Sequence, residues 1–213
     1  MKRNWKDIEW IFETGGALMD IYVQEVSIKD WEKIIDLINE KFEVTHGQSV
    51  AYPNSQIIDK EFAIDYLTDK TGEKEGRSAS IKLKGINLNC HFFLEDEIEF
   101  DIEPREINSV EDFEQIEMFM SEISRVTENQ VTLTDDSHIT VPLFKIDVKN
   151  RINRMLTKEE AQSYWGNPDS FSNKIKLAKT QLKMKLNDNK FKEKLLKSGR
   201  EIHKSTKKDK NVW

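Results

Sequence analysis

Three consecutive segments between residues 78 and 103 alternate apolar and polar side chains with a period of two, and this pattern constrains the fold more than any other feature of the chain. Ala79, Ile81 and Leu83 alternate with Ser78, Ser80, Lys82 and Lys84. Beyond a turn at Lys84-Gly85, Ile86, Leu88, Cys90 and Phe92 alternate with Asn87, Asn89 and His91. After Glu95-Asp96, Ile98, Phe100 and Ile102 alternate with Glu97, Glu99, Asp101 and Glu103 until Pro104 stops the run. Successive side chains of a strand point to opposite faces, so the spacing predicts an antiparallel meander with one buried and one wet face.

Helical signals flank the meander. Ser27 and Asp30 have capping-box spacing, and Trp31, Ile34, Ile35, Ile38 and Phe42 then recur at helical intervals, which predicts a helix to about Lys41. Residues 43–46 read as a short strand ended by Gly47, residues 47–57 as a polar loop, and residues 59–68 as a shorter helix. Ser109 with Asp112 opens a further helix whose stripe of Phe113, Ile116, Phe119, Met120 and Ile123 faces the sheet. Residues 131–134 and 143–148 are expected to be closing strands, separated by a polar loop containing Pro142. At the N-terminus, residues 8–13 and 18–23 across Thr14-Gly15-Gly16 read as a β-hairpin. The expected fold class is α+β, an antiparallel sheet with helices packed on one face, followed by a basic C-terminal helical extension.

Charge supplies the domain boundary. Residues 1–150 hold 32 acidic and 16 basic side chains, a balance of −16, whereas residues 151–213 hold 7 and 17, a balance of +10. An acidic α+β domain over 1–150 and a basic helical extension over 151–213 with a disordered end are therefore expected. In the extension, Thr157 with Glu160 repeats the capping box. A longer helix carries the stripe Phe171, Ile175, Ala178, Leu182 and Leu186. The asymmetry points to a cationic partner for the acidic part, an anionic one for the basic part, or mutual neutralisation; two merely solvated surfaces are the plainer alternative.

Residue chemistry excludes more than it selects. A single cysteine rules out an intramolecular disulfide framework and every multi-cysteine zinc motif. Gly15-Gly16 has no following Lys-Ser/Thr, so no phosphate-cradling loop is present. Cys90 and His91 are adjacent on a strand and face opposite ways, which prevents a nucleophile-base pair between them. The acidic clusters at Asp135-Asp136 with His138 and at Glu95-Asp96-Glu97 lack metal-ligand spacing and fall at turns. The chain is thus expected to be non-enzymatic, with no cofactor and no metal. No apolar run approaches the roughly 20 residues that span a bilayer, and Met1-Lys2-Arg3-Asn4-Trp5-Lys6 leads into no signal segment, so a cytoplasmic protein without a membrane partner is expected.

What remains is surface. Glu97, Glu99, Asp101 and Glu103 set carboxylates about 7 Å apart along one strand face, close to the phosphate spacing of a nucleic acid strand. A basic nucleic-acid-cleaving protein such as a toxin can bind such a row with the groove it uses for its substrate; equally, a charged face resists edge aggregation. Glu97, Glu99 and Asp101, with His91 on the neighbouring strand, are the candidate partner-binding residues. Tyr22 and Tyr52 are candidate aromatic anchors. The lysines of the extension, from Lys174 to Lys197, leave non-specific phosphate contact open, and a nucleic-acid-associated regulatory protein is the alternative function.

Several of these positions also carry a family likeness. Ile8-Glu9-Trp10-Ile11-Phe12-Glu13 followed by Gly16-Ala17-Leu18-Met19-Asp20-Ile21-Tyr22-Val23, a helix opening at Asp30-Trp31, the strand Glu97-Ile98-Glu99-Phe100-Asp101, and Phe119-Met120 before Val131-Thr132-Leu133-Thr134 resemble a family of small bacterial immunity proteins encoded beside polymorphic toxins. The likeness covers about residues 5–148 and excludes the basic extension. It rests on positions that build a fold and on no catalytic signature. The resemblance implies a non-enzymatic protein that binds and blocks one cognate toxin.

Overall fold

Eight strands, Met19–Gln24 (β1), Glu43–His46 (β2), Ala79–Leu83 (β3), Ile86–Leu94 (β4), Glu97–Ile102 (β5), Val131–Asp135 (β6), Pro142–Asp147 (β7) and Ile152–Met155 (β8), form one sheet in the order β2-β3-β4-β5-β1-β6-β7-β8. Every neighbouring pair is antiparallel. Four α-helices accompany the strands among the described residues: Ile28–Lys41 (α1), Lys60–Leu67 (α2), Val110–Thr127 (α3) and Lys158–Trp165 (α4). The computed structural model describes residues 3–13, 16–47, 55–74, 76–135 and 141–165. Of these, residues 69–74 fall outside the unit that holds the sheet. They form a turn of their own, in which Asp69 accepts hydrogen bonds from the backbone N–H groups of Thr71 (2.8 Å) and Lys74 (3.0 Å).

The connections follow from where each apolar face must go. β1 sits in the middle of the sheet, and α1 carries the chain from it to the edge strand β2. The meander β3-β4-β5 then returns to the centre, as its alternation predicts. Its first turn closes in two residues, with Lys84 at φ 44° and Gly85 at φ 106°, the left-handed region that tight hairpins need. α3 crosses from β5 to β6 and covers the same face as α1. Phe119 of α3 meets Phe100 of β5 edge-on at 5.0 Å, and Phe113 meets Phe144 of β7 at 5.1 Å. Trp31 of α1 packs on Phe92 of β4 at 5.3 Å and donates its indole N–H to the Leu94 carbonyl at 3.1 Å. Both helix starts are capped as expected: Ser27 and Asp30 satisfy each other's backbone N–H groups, and Ser109 accepts from the Asp112 N–H at 3.1 Å.

Three expectations need correction. Residues 8–13 are not a hairpin strand: Trp5–Asp7 and Glu9–Phe12 form two 3-10 turns. Ile8, Ile11 and Phe12 bury at helical spacing, and the partners of β1 are β5 and β6 instead. Pro142 opens β7 rather than lying in the loop before it. The sheet also continues past the charge break at residue 150, since β8 pairs with β7, and Arg3 ties the chain start to this region through Glu117 and Asn153 (each 3.0 Å). The short helix opened by Thr157 and Glu160 is α4, with Thr157 Oγ1 accepting from the Glu160 N–H at 3.1 Å. The longer helix expected from Phe171 onward lies outside the described residues.

The acidic open face of the sheet as candidate functional site

Burial of one sheet face against α1, α2 and α3 dictates what the other face presents. Met19, Ile21 and Val23 of β1 and Ile98, Phe100 and Ile102 of β5 are wholly buried, so Asp20, Tyr22 and Gln24 and their β5 partners point the opposite way. The register then composes two rows across the sheet. One runs Asn89, Asp101, Asp20, Thr134; the next runs His91, Glu99, Tyr22, Thr132, Lys145. Glu97 lies opposite Gln24, one step further along. Three carboxylates, Asp20, Glu99 and Asp101, thus converge at the centre of the molecule's largest element.

Neighbours on the adjoining strands hold the cluster in place. Asp101 accepts from Asn89 Nδ2 at 2.7 Å and shares a 2.5 Å hydrogen bond with His91 Nε2. Tyr22 donates its hydroxyl to Asp20 at 3.2 Å, and Gln24 donates to Glu97 at 3.1 Å. The hydrogen bond to Asp101 outweighs partial burial and holds the His91 imidazolium to a higher pH than a free histidine. Burial, with the like charge of Asp20 beside it, pushes the Glu99 carboxyl up to about 7. The same two causes, burial first and then the Glu99 and Asp20 carboxylates, push the Tyr22 phenol above its ordinary range. The face therefore gathers carboxylates close enough to disfavour one another's ionised forms. At its β6 side, Tyr22, Gln24, Glu25, Asn129, Gln130 and Thr132 line a shallow cleft of about 220 Å³.

Glu97, Glu99, Asp101, His91 and Tyr22 all lie on this face, on the adjacent strands β4, β5 and β1. The row differs from the freely solvated one expected from the alternation. Asp101 is buried among Asn89, His91 and Asp20, Glu97 and Glu99 are half-buried, and Glu103 leaves the strand to cap the following 3-10 turn and pair with Arg105. The physical reason is that long side chains on two flanking strands cover a central strand's polar face. Tyr52 lies outside the described residues, as do Asp136 and His138. Two members of the face were missed, Asp20 and Phe93. Asp20 alternates with Met19 and Ile21 and so was legible as outward-facing, but its juxtaposition with Asp101 depends on strand order. Phe93 falls where the β4–β5 register shifts, so alternation alone did not place it; its stack on His91 does.

Cys90 faces the core and is fully buried, with its thiol pushed up by desolvation, which leaves no reactive thiolate there. Among the described residues no group of three or more His, Cys, Asp or Glu is placed to hold a metal ion, and no helix is long and apolar enough to cross a membrane. No family model matches the chain, and no curated protein does. A chain of the 1.75 Å crystal structure of the toxic C-terminal tip of CdiA from Pseudomonas aeruginosa in complex with immune protein is similar to this one at a TM-score of 0.39, with 14% sequence identity, over 66% of this chain and 99% of that one. A likeness this loose transfers neither topology nor partner.

Proposed function

We propose that this chain is a non-enzymatic immunity protein that binds and neutralises a cognate bacterial toxin domain of basic character inside the cell, using the open face of its sheet. The observation that carries the reading is the convergence of Asp20, Glu97, Glu99 and Asp101 on one rigid face, where the like charges repel and a cationic surface would be attracted. The resemblance of residues 5–148 to immunity proteins of polymorphic toxin systems supports the same partner class. A face built on strands costs little ordering when it binds, because its side chains are already cross-bonded. The test is co-expression with the toxin domain encoded beside the gene. Protection from that toxin, lost when Glu97 and Glu99 are changed to Lys in a protein that still folds, is the expected result. Full toxicity despite folded wild-type protein would sink the reading. Salt-sensitive nucleic-acid binding by the full chain in its place would favour the regulatory alternative, which the +10 balance of residues 151–213 keeps in view.

A further inference from the structure

We infer that Phe93 is the aromatic anchor of the toxin-facing surface, and that an arginine of the partner stacks on its exposed ring beside the carboxylates of Glu97 and Glu99. This assignment rests on the immunity reading above and names the chemistry by which that face recognises its partner.

A lone exposed apolar residue is ordinary on a protein surface, but Phe93 is held in place. Phe93 is 58% exposed, and its ring stacks parallel on the His91 ring, with centroids 4.8 Å apart and planes 5° from parallel. His91 in turn is fixed by Asp101 at 2.5 Å. On the other side of the strand Phe92 is packed on Trp31, and the Trp31 indole holds the Leu94 carbonyl at 3.1 Å. The register between β4 and β5 shifts within this stretch, between His91 and Leu94. Backbone and ring are therefore pinned at residues 91, 92 and 94, and nothing in the core requires Phe93 to be aromatic.

Position and charge select the occupant. His91 lies opposite Glu99 and Leu94 opposite Glu97, so these two carboxylates sit on the strand beside Phe93. One ring face is stacked on His91, and Phe93 is nonetheless more than half exposed. A guanidinium is flat, stacks on an aromatic face and pairs with carboxylates through a fork of N–H donors, whereas an ammonium lacks both the plane and the fork. Asp101 holds the His91 ring against that of Phe93, and Asp20, Glu97 and Glu99 leave the neighbourhood acidic. A rigid aromatic ring beside desolvated charge has the composition of an interface hot spot.

The experiment measures affinity of the full-length protein for the toxin domain encoded beside its gene, alongside thermal denaturation of each variant. Phe93→Ala and Phe93→Leu are expected to weaken binding at least tenfold, and Phe93→Tyr to stay within about threefold of wild type, all with unchanged melting temperature. Wild-type affinity in Phe93→Leu would show a plain apolar contact and overturn the arginine assignment. Wild-type affinity in Phe93→Ala, with binding lost on changing Glu97 and Glu99 to Lys, would overturn the anchor and leave the acidic face standing. Absence of binding by the wild-type protein would bring down both readings.

Discussion

At the scale of single residues, the shifted groups of the open face make stability depend on pH in a defined direction. Folded Glu99 keeps its proton up to about pH 7, whereas an unperturbed glutamate releases it near 4.5. The folded state thus binds more protons between those values, and stability falls as the pH rises through that window. His91 acts in the same sense. Its contribution is complete below the ordinary histidine value of 6.5 and is lost as the pH rises through its higher folded value. Glu99→Gln should therefore stabilise the protein by roughly 1–2 kcal/mol at pH 8, after allowing for solvent screening, and by little at pH 4. Urea denaturation at the two pH values checks this; equal stabilisation at both would contradict it. A second test isolates the His91 bond: Asp101→Asn should move the His91 titration midpoint downward, read from its imidazole resonances by NMR. An unmoved midpoint would mean that Asp101 does not hold the imidazolium.

At the scale of elements, the core stripes and caps carry the stability. Phe100 is wholly buried between β4, β1 and Phe119, so Phe100→Ala should cost about 3–5 kcal/mol in chemical denaturation. Removing the α1 cap with Ser27→Ala should cost about 1 kcal/mol. A Phe100→Ala variant with wild-type stability would place that residue on the wrong face. The elements legible in the sequence are those with a long, clean period: β3, β4 and β5 through their alternation, α1 and α3 through their stripes and caps. β8 was invisible because Ile152-Asn153-Arg154-Met155 has two half-buried apolar residues and no pattern. Residues 8–13 were misread because Ile8, Trp10 and Phe12 also satisfy alternation; burial of Ile11 beside Phe12 decides for 3-10 turns.

At the scale of the whole molecule, the site was only half legible. The outward residues of each strand followed from period two, so the shared face of Glu97, Glu99, Asp101 and His91 was legible. Which strand lies beside which did not follow, because β1 pairs with β5 and β6 across long stretches of chain. The apposition of Asp20 with Asp101, which makes the face a strained cluster and not a comb of solvated charges, is a property of that order alone. Strand order also makes the acidic field compact, so association with a basic partner should be fast and salt-dependent. Charge reversals at Glu97 and Glu99 should slow association with little effect on the fold, whereas Asp101→Lys would also break the bonds to Asn89 and His91. The most direct measurement of the central claim is protection of cells that co-express this protein with the toxin domain encoded beside its gene. Wild-type protein should protect, and the variant carrying Lys at positions 97 and 99 should not, while both remain folded. Undiminished protection by that variant would move the interface off the open face, and no protection by the wild-type protein would contradict the immunity function itself.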